Sequence, residues 1–386
     1  MMSFAFYRLP RSRQVVCIQQ QGMPTTFGSL SDLNGHSGFV VAPFAIDASQ
    51  PVVLIRPDDI SIVDDSTLLA DIQFPPLNEA ASSLACAGVD TSEPESARAA
   101  YGADFAHFHQ ALSDGMFRKL VLARCATVVP HGATANPLLL FAEACSCYPQ
   151  LFVSLVYTPQ SGLWLTATPE ILLESDGTQW TTIALAGTMP LPADSSPDAL
   201  EQLQWSAKNR EEQRIVADYI RQCLQPYATD VSEAGPRTVR AAQLVHLRSD
   251  FHFTLLNDAR VGNLLQSLHP TPAVCGLPKA EAQRFILANE HAPRRYYSGF
   301  MGPLQMAVAP HGPAATHLYV SLRCMQLFTT HFRLYAGGGL LPESVEQQEW
   351  AETEAKMQTM RQLTECQDRQ SIAVSKRKRE ITEKSV

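Results

Sequence analysis

Lysine and glutamate recur in this chain at positions where a packed protein places apolar side chains. Lys119 opens the run Lys-Leu-Val-Leu-Ala-Arg, Glu170 follows Ala-Thr-Pro, and Glu212, Glu352 and Lys356 fall within helical patterns. Burying a charge without a partner costs several kcal/mol, so a sequence that does so has a counter-charge, a metal or chemistry to offset it. Two lysines with several glutamates suit metal-assisted acid and base work.

In a strand, Lys119 shares one face with Val121, Ala123 and Cys125, while Leu120 and Leu122 share the other with Arg124. Both faces read as buried. Lys119 is then either a strand-start lysine whose amine snorkels to solvent or an amine that burial or nearby cations deprotonate into a general base. Glu170 lies between the strand-like runs Leu163-Trp164-Leu165 and Ile171-Leu172-Leu173. It is either a strand-edge carboxylate or a general acid whose pKa its surroundings raise. Ile183 to Ala186 reads as an apolar strand ending in Gly187-Thr188. That end is an ordinary turn or a place where backbone N–H groups and a hydroxyl meet a ligand oxygen.

The helical patterns carry more. From Leu200 to Leu224, Ile215, Val216, Tyr219, Ile220, Cys223 and Leu224 recur at helical spacing, which turns Glu212 inward. Lys208, one turn earlier, is placed for an ordinary helix contact with it. Val345, Glu349, Glu352, Lys356, Met360 and Leu363 form a single stripe with three charges in its middle. Mg²⁺ is usually held by one or two carboxylates with waters and substrate oxygens. The pattern implies a magnesium site that receives an anionic substrate. The rigid stretch Leu268 to Pro278 reads as a crossover or a pocket wall, and Ser321-Leu322-Arg323-Cys324 and Phe332 to Tyr335 as strands before a turn at Ala336 to Gly339. These glycines lack the Lys-Ser or Lys-Thr of a P-loop and the spacing of a dinucleotide fingerprint.

The elements that hold these residues fit one continuous α+β domain. The 386 residues contain no linker, repeat or low-complexity run before the tail. Apolar runs such as Gly38 to Phe44 and Val52 to Ile55 read as buried strands, and an Ala-rich stretch from Glu93 to Leu112, after Ser92, as a helix. A net charge of −8 and scattered basic residues give no field for nucleic acid. No run approaches the length of a membrane span and the N-terminus lacks a signal-peptide core, so a cytoplasmic protein is expected. Nine cysteines without Cys-x-x-Cys spacing imply reduced thiols and no zinc, with Cys145 and Cys147 as core filler. Residues 367–386, with Lys376-Arg377-Lys378-Arg379, are expected to be a disordered charged tail beyond a domain at 1–366.

Nine motifs in order resemble the chorismate-utilising enzymes, and among them the isochorismate synthases. They are Lys-Leu-Val-Leu-Ala-Arg, Ala-Thr-Pro-Glu, Leu-Ala-Gly-Thr, Lys208-Asn209-Arg210-Glu211-Glu212, Leu-His-Pro-Thr-Pro-Ala-Val-Cys-Gly-Leu-Pro, Arg294 to Gly302, Ser-Leu-Arg-Cys, Ala-Gly-Gly-Gly and Glu349-Trp350-Ala351-Glu352-Thr353-x-x-Lys356. They span about residues 115–365 of a motif-bearing part at about 95–366, and Gly38 to Phe44 resembles the family's N-terminal strand. The resemblance implies a single α+β domain of two large antiparallel sheets packed as a sandwich with helices outside. It implies that chorismate and isochorismate interconvert with Mg²⁺. Lys119 matches the base that activates water to attack C2, and Glu170 the acid that protonates the departing C4 hydroxyl. Glu212 and Glu352 match magnesium ligands, with Glu349 contributing through water. Gly187 matches a position near the leaving hydroxyl, with Thr188 beside it expected to bind substrate, and Arg323, Tyr335, Gly337 and Lys356 match positions that bind the carboxylates and enolpyruvyl group. His246 and Ala273 match further pocket positions.

Members that deliver ammonia usually carry glutamine where Lys119 stands, so the lysine implies water as the nucleophile. No amidotransferase subunit is expected, and a monomer is. Salicylate synthases share the lysine and go on to eliminate pyruvate; they are the alternative, followed by a catalytically silent chorismate-binding module. The chain departs from the family at Gln213, where histidine is common, at Ala184, where proline is common, and at Gly338, where alanine is common. Gln213 is expected to weaken support of the metal ligand, and Gly338 to loosen its loop.

Overall fold

The computed structural model describes residues 2–72, 94–129, 136–192, 194, 196–309 and 312–383. Strands β1 (Met2–Arg8), β2 (Gln14–Gln21), β3 (Thr25–Phe27), β4 (Gly38–Ala42), β5 (Val52–Ile55) and β6 (Asp59–Asp64) come first. Helices α1 (Leu68–Asp71) and α2 (Pro94–Ser113) lead to β7 (Lys119–Val128). Next come α3 (Pro137–Cys147), β8 (Phe152–Thr158), β9 (Gly162–Thr168), β10 (Ile171–Ser175) and β11 (Trp180–Pro190). Helices α4 (Pro197–Glu201) and α5 (Ala207–Leu224) precede β12 (Ala228–Ala241) and β13 (Leu244–Leu255). The chain continues with α6 (Val261–Leu268), β14 (Gly276–Leu277), α7 (Lys279–Asn289), β15 (Phe300–Leu304), β16 (Thr316–Val320), β17 (Cys324–Leu327), β18 (Phe332–Leu340) and α8 (Glu346–Glu383).

The strands form two nine-stranded sheets, ordered β14-β7-β18-β17-β9-β8-β1-β2-β6 and β12-β13-β11-β10-β16-β15-β4-β5-β3. Alternation along each strand explains why so many runs are continuously apolar. In β1, Ala5 and Tyr7 face the other sheet while Phe4 and Phe6 pack with α3; in β4, Phe39 and Val41 face inward while Val40 and Ala42 pack on the α6 side. Both faces of these inner strands are thus covered, whereas the end strands β6 and β12 are largely exposed. Phe152 of one sheet stacks on Tyr319 of the other with centroids 4.4 Å apart. The expected sandwich of antiparallel sheets with outer helices is the observed architecture.

Two of the links between the sheets meet at one corner. Pro169-Glu170 carries the chain from β9 in one sheet to β10 in the other, and Ser321 to Arg323 carries it back from β16 to β17. They run side by side, with Val320 N donating to Glu170 O at 2.9 Å and Ala167 N to Arg323 O at 3.0 Å. Strands that switch sheets make the corners of a sandwich, and here the corner presents two of the expected site residues.

Several expectations need correction. Ser321 to Arg323 is a link and not a strand, and Ala336 to Gly339 is not a turn but the middle of β18, paired with β7. The pattern from Leu200 is broken into α4 and α5, the latter starting where Ser206 Oγ accepts from Asn209 N at 3.1 Å. Val345 is exposed and precedes α8, so the buried stripe starts at Glu349. Residues 367–383, expected as a disordered tail, continue the α8 backbone. Cys147 is exposed although Cys145 is core. Ser92 and Glu93 lie outside the described residues, within which that helix begins at Pro94.

Candidate active site

Lys119 is fully buried and its Nζ pairs with Glu212 Oε1 at 3.0 Å. Strand β7 supplies the lysine and α5 the glutamate, which sits on the same buried face as Gln213, Val216 and Ile220. Burial alone would push Glu212 up, but Lys119, Lys208 and Lys356 outweigh it and hold the carboxyl below its usual range. Two further pairs extend the cluster. Lys356 Nζ donates to Glu352 Oε1 at 2.6 Å and to Gly337 O at 2.8 Å, and Lys208 donates to Glu349. Lys208 therefore reaches from α5 to α8 and does not pair with Glu212 along its own helix, as its spacing suggested.

The three carboxylates converge on β18, and the glycines there explain how. A Cβ on Gly339 would run into Glu212 Oε1, and one on Gly338 would lie 3.2 Å from Glu349 Oε2 and 3.6 Å from Glu352 Oε1. Glu349 Oε2 is buried and accepts no hydrogen bond. Burial, then Glu352, push the Glu349 carboxyl up while Lys208 opposes them. Among the described residues, no three His, Cys, Asp or Glu side chains already stand as a preformed metal cage. The donor set suits a cation that takes few protein ligands: hard carboxylate oxygens, one of them unpartnered, over a bare backbone. Mg²⁺ is such a cation.

Beside this cluster lies a small cavity with a polar lining. Glu170, Gly187, Thr188, Glu212 and His246 line it, as do Ala273, Arg323, Tyr335, Gly337 and Lys356. Lys119, Glu349 and Glu352 are not part of its lining and stand behind it, in the three ion pairs. Glu170 is 4% exposed; burial pushes its pKa up to about 7, against the pull of Arg323, Lys119 and Lys356. It is a carboxyl that keeps its proton to neutral pH.

Arg323 and His246 form the opposite pole. Arg323 has φ +46° at the sheet crossover, and its Nη2 donates to His246 Nε2 at 3.0 Å. His246 Nδ1 is then the protonated nitrogen, donating to Gly187 O at 3.1 Å, a tautomer assigned from this network. Burial, Arg323 and Lys356 hold His246 far below its ordinary pKa, so it stays neutral. Gly187 forms a bulge in β11 at φ +70°, its Cα face against Asn209. Gln213 secures this bulge: Oε1 accepts from Ala186 N at 2.9 Å, and Nε2 donates to Ala184 O at 3.1 Å and Ser249 Oγ at 3.2 Å. Its amide thus ties the Glu212 helix to the strand bearing Gly187.

Tyr335 stacks between Trp164 and Tyr297 at 5.4 Å from each, with its buried hydroxyl unpartnered. Tyr297, Gly339 and Pro169 also line the cavity and were not singled out by the sequence. Gly339 had a signal in the glycine run, and Tyr297 in its place within Arg294 to Gly302. Pro169 had one as part of the motif Ala-Thr-Pro-Glu.

The profile of the family described as Chorismate binding enzyme matches residues 69–365. The isochorismate synthase EntC of Escherichia coli strain K12 is 29% identical over 245 residues, 63% of this chain and 61% of EntC. The salicylate biosynthesis isochorismate synthase of Pseudomonas aeruginosa is 32% identical over 257 residues, 64% of this chain and 51% of that one. The chain thus spans about half to three fifths of the length of these curated relatives. The crystal structure of a 2,3-dihydroxybenzoate-specific isochorismate synthase, DhbC from Bacillus anthracis, superposes with a TM-score of 0.75 at 24% identity, over 94% of this chain and 96% of that one. That likeness carries the fold, and the match over 69–365 carries the family: the chain belongs to the chorismate-binding enzymes.

Proposed function

We propose that this chain is an isochorismate synthase, converting chorismate reversibly to isochorismate. The observation that carries the reading is a fully buried Lys119 paired with Glu212 behind a cavity in which Glu170 keeps its proton to about pH 7. An amine base and a protonated acid are the two groups the reaction needs. Lys119, in its neutral amine form, takes a proton from water as the water oxygen bonds to C2. The two ring double bonds each move one position, and the C4–O bond breaks as Glu170 gives its proton to the leaving hydroxyl, which departs as water. In the reverse direction the roles exchange. Arg323 and Lys356 supply cationic donors for the substrate carboxylates, with Arg323 oriented by neutral His246.

Glu212 and Glu352, with Glu349 beside them, are the residues that would hold Mg²⁺, which when bound supplies positive charge for a ring carboxylate. Isochorismate formed in this way would enter menaquinone or siderophore synthesis. Among the described residues, no helix is long and apolar enough to cross a membrane.

Incubation with chorismate and Mg²⁺, followed by chromatography, tests the reading. Isochorismate that accumulates to equilibrium, and is lost in Lys119→Ala and Glu170→Ala, is expected. Salicylate with pyruvate would reassign the chain to the salicylate synthases. Binding without turnover would make it a silent chorismate-binding module.

A further inference from the structure

Strand β7 carries Lys119 near the edge of its sheet, and its neighbour on that side is only two residues long. Among the described residues, β14 pairs with β7 only through Leu277 opposite Lys119 and Gly276 opposite Leu120. Cys275 O then accepts from Val121 N at 2.7 Å. Beyond that point side chains take the place of a strand. Arg294 Nη2 donates to Val121 O at 2.7 Å, and Glu290 Oε1 accepts from Ala123 N at 2.7 Å. The same guanidinium donates from Nη1 to Val274 O at 2.6 Å and from Nε to Glu290 Oε2 at 2.7 Å. The two side chains are 2% and 4% exposed, and the guanidinium lies 4.3 Å from the centre of the Phe44 ring.

A buried ion pair is weak evidence for stability, because well-packed apolar residues often do as well. This pair does something apolar residues cannot. It satisfies two backbone groups of β7 that would otherwise be buried without partners, and it fixes a third on the loop that forms a cavity wall. Val121, Ala273 and Val274 all line the cavity, and Lys119 lies two residues before Val121 on the same face.

We propose that Glu290 and Arg294 are positioning residues. They form a side-chain brace that locks β7 and the Ala273–Val274 wall into one register and so sets where Lys119 stands relative to bound chorismate. The functional part of this inference rests on the reading of Lys119 as the base; the brace itself does not.

The double variant Glu290→Leu/Arg294→Leu removes both charges together, leaving no lone buried ion but stripping Val121 O, Ala123 N and Val274 O of their partners. It is expected to fold with a lowered melting temperature, since each orphaned buried group destabilises the chain. Misplacing a reacting group by about 1 Å can cost on the order of a hundredfold. A fall of about tenfold or more in kcat is therefore expected, with KM for chorismate changed less than about threefold. Hydrogen exchange across residues 119–125 should quicken while exchange elsewhere stays as it was. Arg294→Lys, which keeps the charge beside Glu290 and loses the fork, serves if the double variant does not fold, with the same two readouts. A folded variant with wild-type kcat and wild-type exchange over 119–125 would overturn the brace. Should wild type itself not turn over chorismate, the reading of Lys119 fails, and the exchange measurement still decides the brace.

Discussion

Lys119 Nζ and Glu212 Oε1, 3.0 Å apart, meet over the bare face of Gly339, where a Cβ would collide with the oxygen and lie 2.9 Å from Lys119 Cε. The pair exists only because β18 has no side chain there. Gly339→Ala should therefore fold, since a strand accepts alanine, yet push apart the proposed base and the proposed metal ligand. Chorismate turnover is expected to fall by about a hundredfold, the scale that follows from a shift of about 1 Å in a reacting group. Steady-state kinetics beside circular dichroism would check it, and a folded variant with full turnover would disprove the contact's importance.

Gly338→Ala should behave differently. Its Cβ would lie 3.2 Å from Glu349 Oε2, close enough to require a shift of a few tenths of an ångström at the far end of that side chain. Replacing glycine by alanine at a tolerant backbone position stabilises by about 0.4–1 kcal/mol through the unfolded chain. Turnover within about threefold of wild type and a slightly higher urea midpoint are expected. The glycine does not loosen a loop, because it lies within a paired strand.

Glu170 makes both activity and stability depend on pH. Burial raises its pKa from 4.5 to about 7, so the acid form that the proposed mechanism uses is lost as pH rises through about 7. The folded chain also binds this proton more tightly than the unfolded one. Its contribution is complete below about pH 4.5 and is lost as pH rises toward 7, amounting to about 3 kcal/mol for a shift of this size. Glu170→Gln, which cannot ionise, should match wild type in urea melts near pH 4 and exceed it by up to about 3 kcal/mol at pH 8. Equal stabilities at pH 8 would show that the carboxyl is not held neutral by burial.

The sequence made much of this legible, for reasons that can be traced. Charges inside apolar patterns stood out at Lys119, Glu170, Glu212 and Glu352 because charge burial is costly, and these residues do lie in or behind one cavity. Pairing was harder to read. Helical spacing offered Lys208 to Glu212, yet the long side chain reaches Glu349 on another helix, a choice made by tertiary packing. The glycines of β18 looked like a turn because glycine weakens a strand; here they clear space for carboxylates. Gln213 looked like lost support for a metal ligand, but its amide has three partners, none of which a single residue's identity reveals.

His246 accepts from Arg323 through Nε2 while Nδ1 donates to Gly187 O, which fixes the guanidinium without adding charge. His246→Ala leaves a buried arginine donor unsatisfied, and hydrogen bonds to charged groups contribute about 1.5–3 kcal/mol. KM for chorismate should rise about tenfold or more with a smaller change in kcat. Because burial keeps the imidazole neutral, the wild-type pH profile should show no inflection from His246 between pH 5 and 9. Its imidazole NMR shifts over that range provide a direct check; a titration step there would sink the assignment.

The glutamates over β18 lead to a last prediction that does not depend on turnover. A ligand that binds only the folded chain stabilises it by RT ln(1 + [L]/Kd), about 2.7 kcal/mol at a hundredfold excess over Kd. Mg²⁺ at millimolar concentration should therefore raise the melting temperature by a few degrees, and EDTA should reverse the rise. Glu352→Gln keeps the size of the side chain and an acceptor for Lys356 Nζ, which now donates to Glu352 Oε1 at 2.6 Å, but it removes one carboxylate charge from the set. The Mg²⁺-dependent rise should shrink or vanish in this variant while its melting temperature in EDTA stays close to wild type. A rise of equal size in both would place any bound Mg²⁺ elsewhere, and no rise in wild type would remove the metal from the reading of these residues.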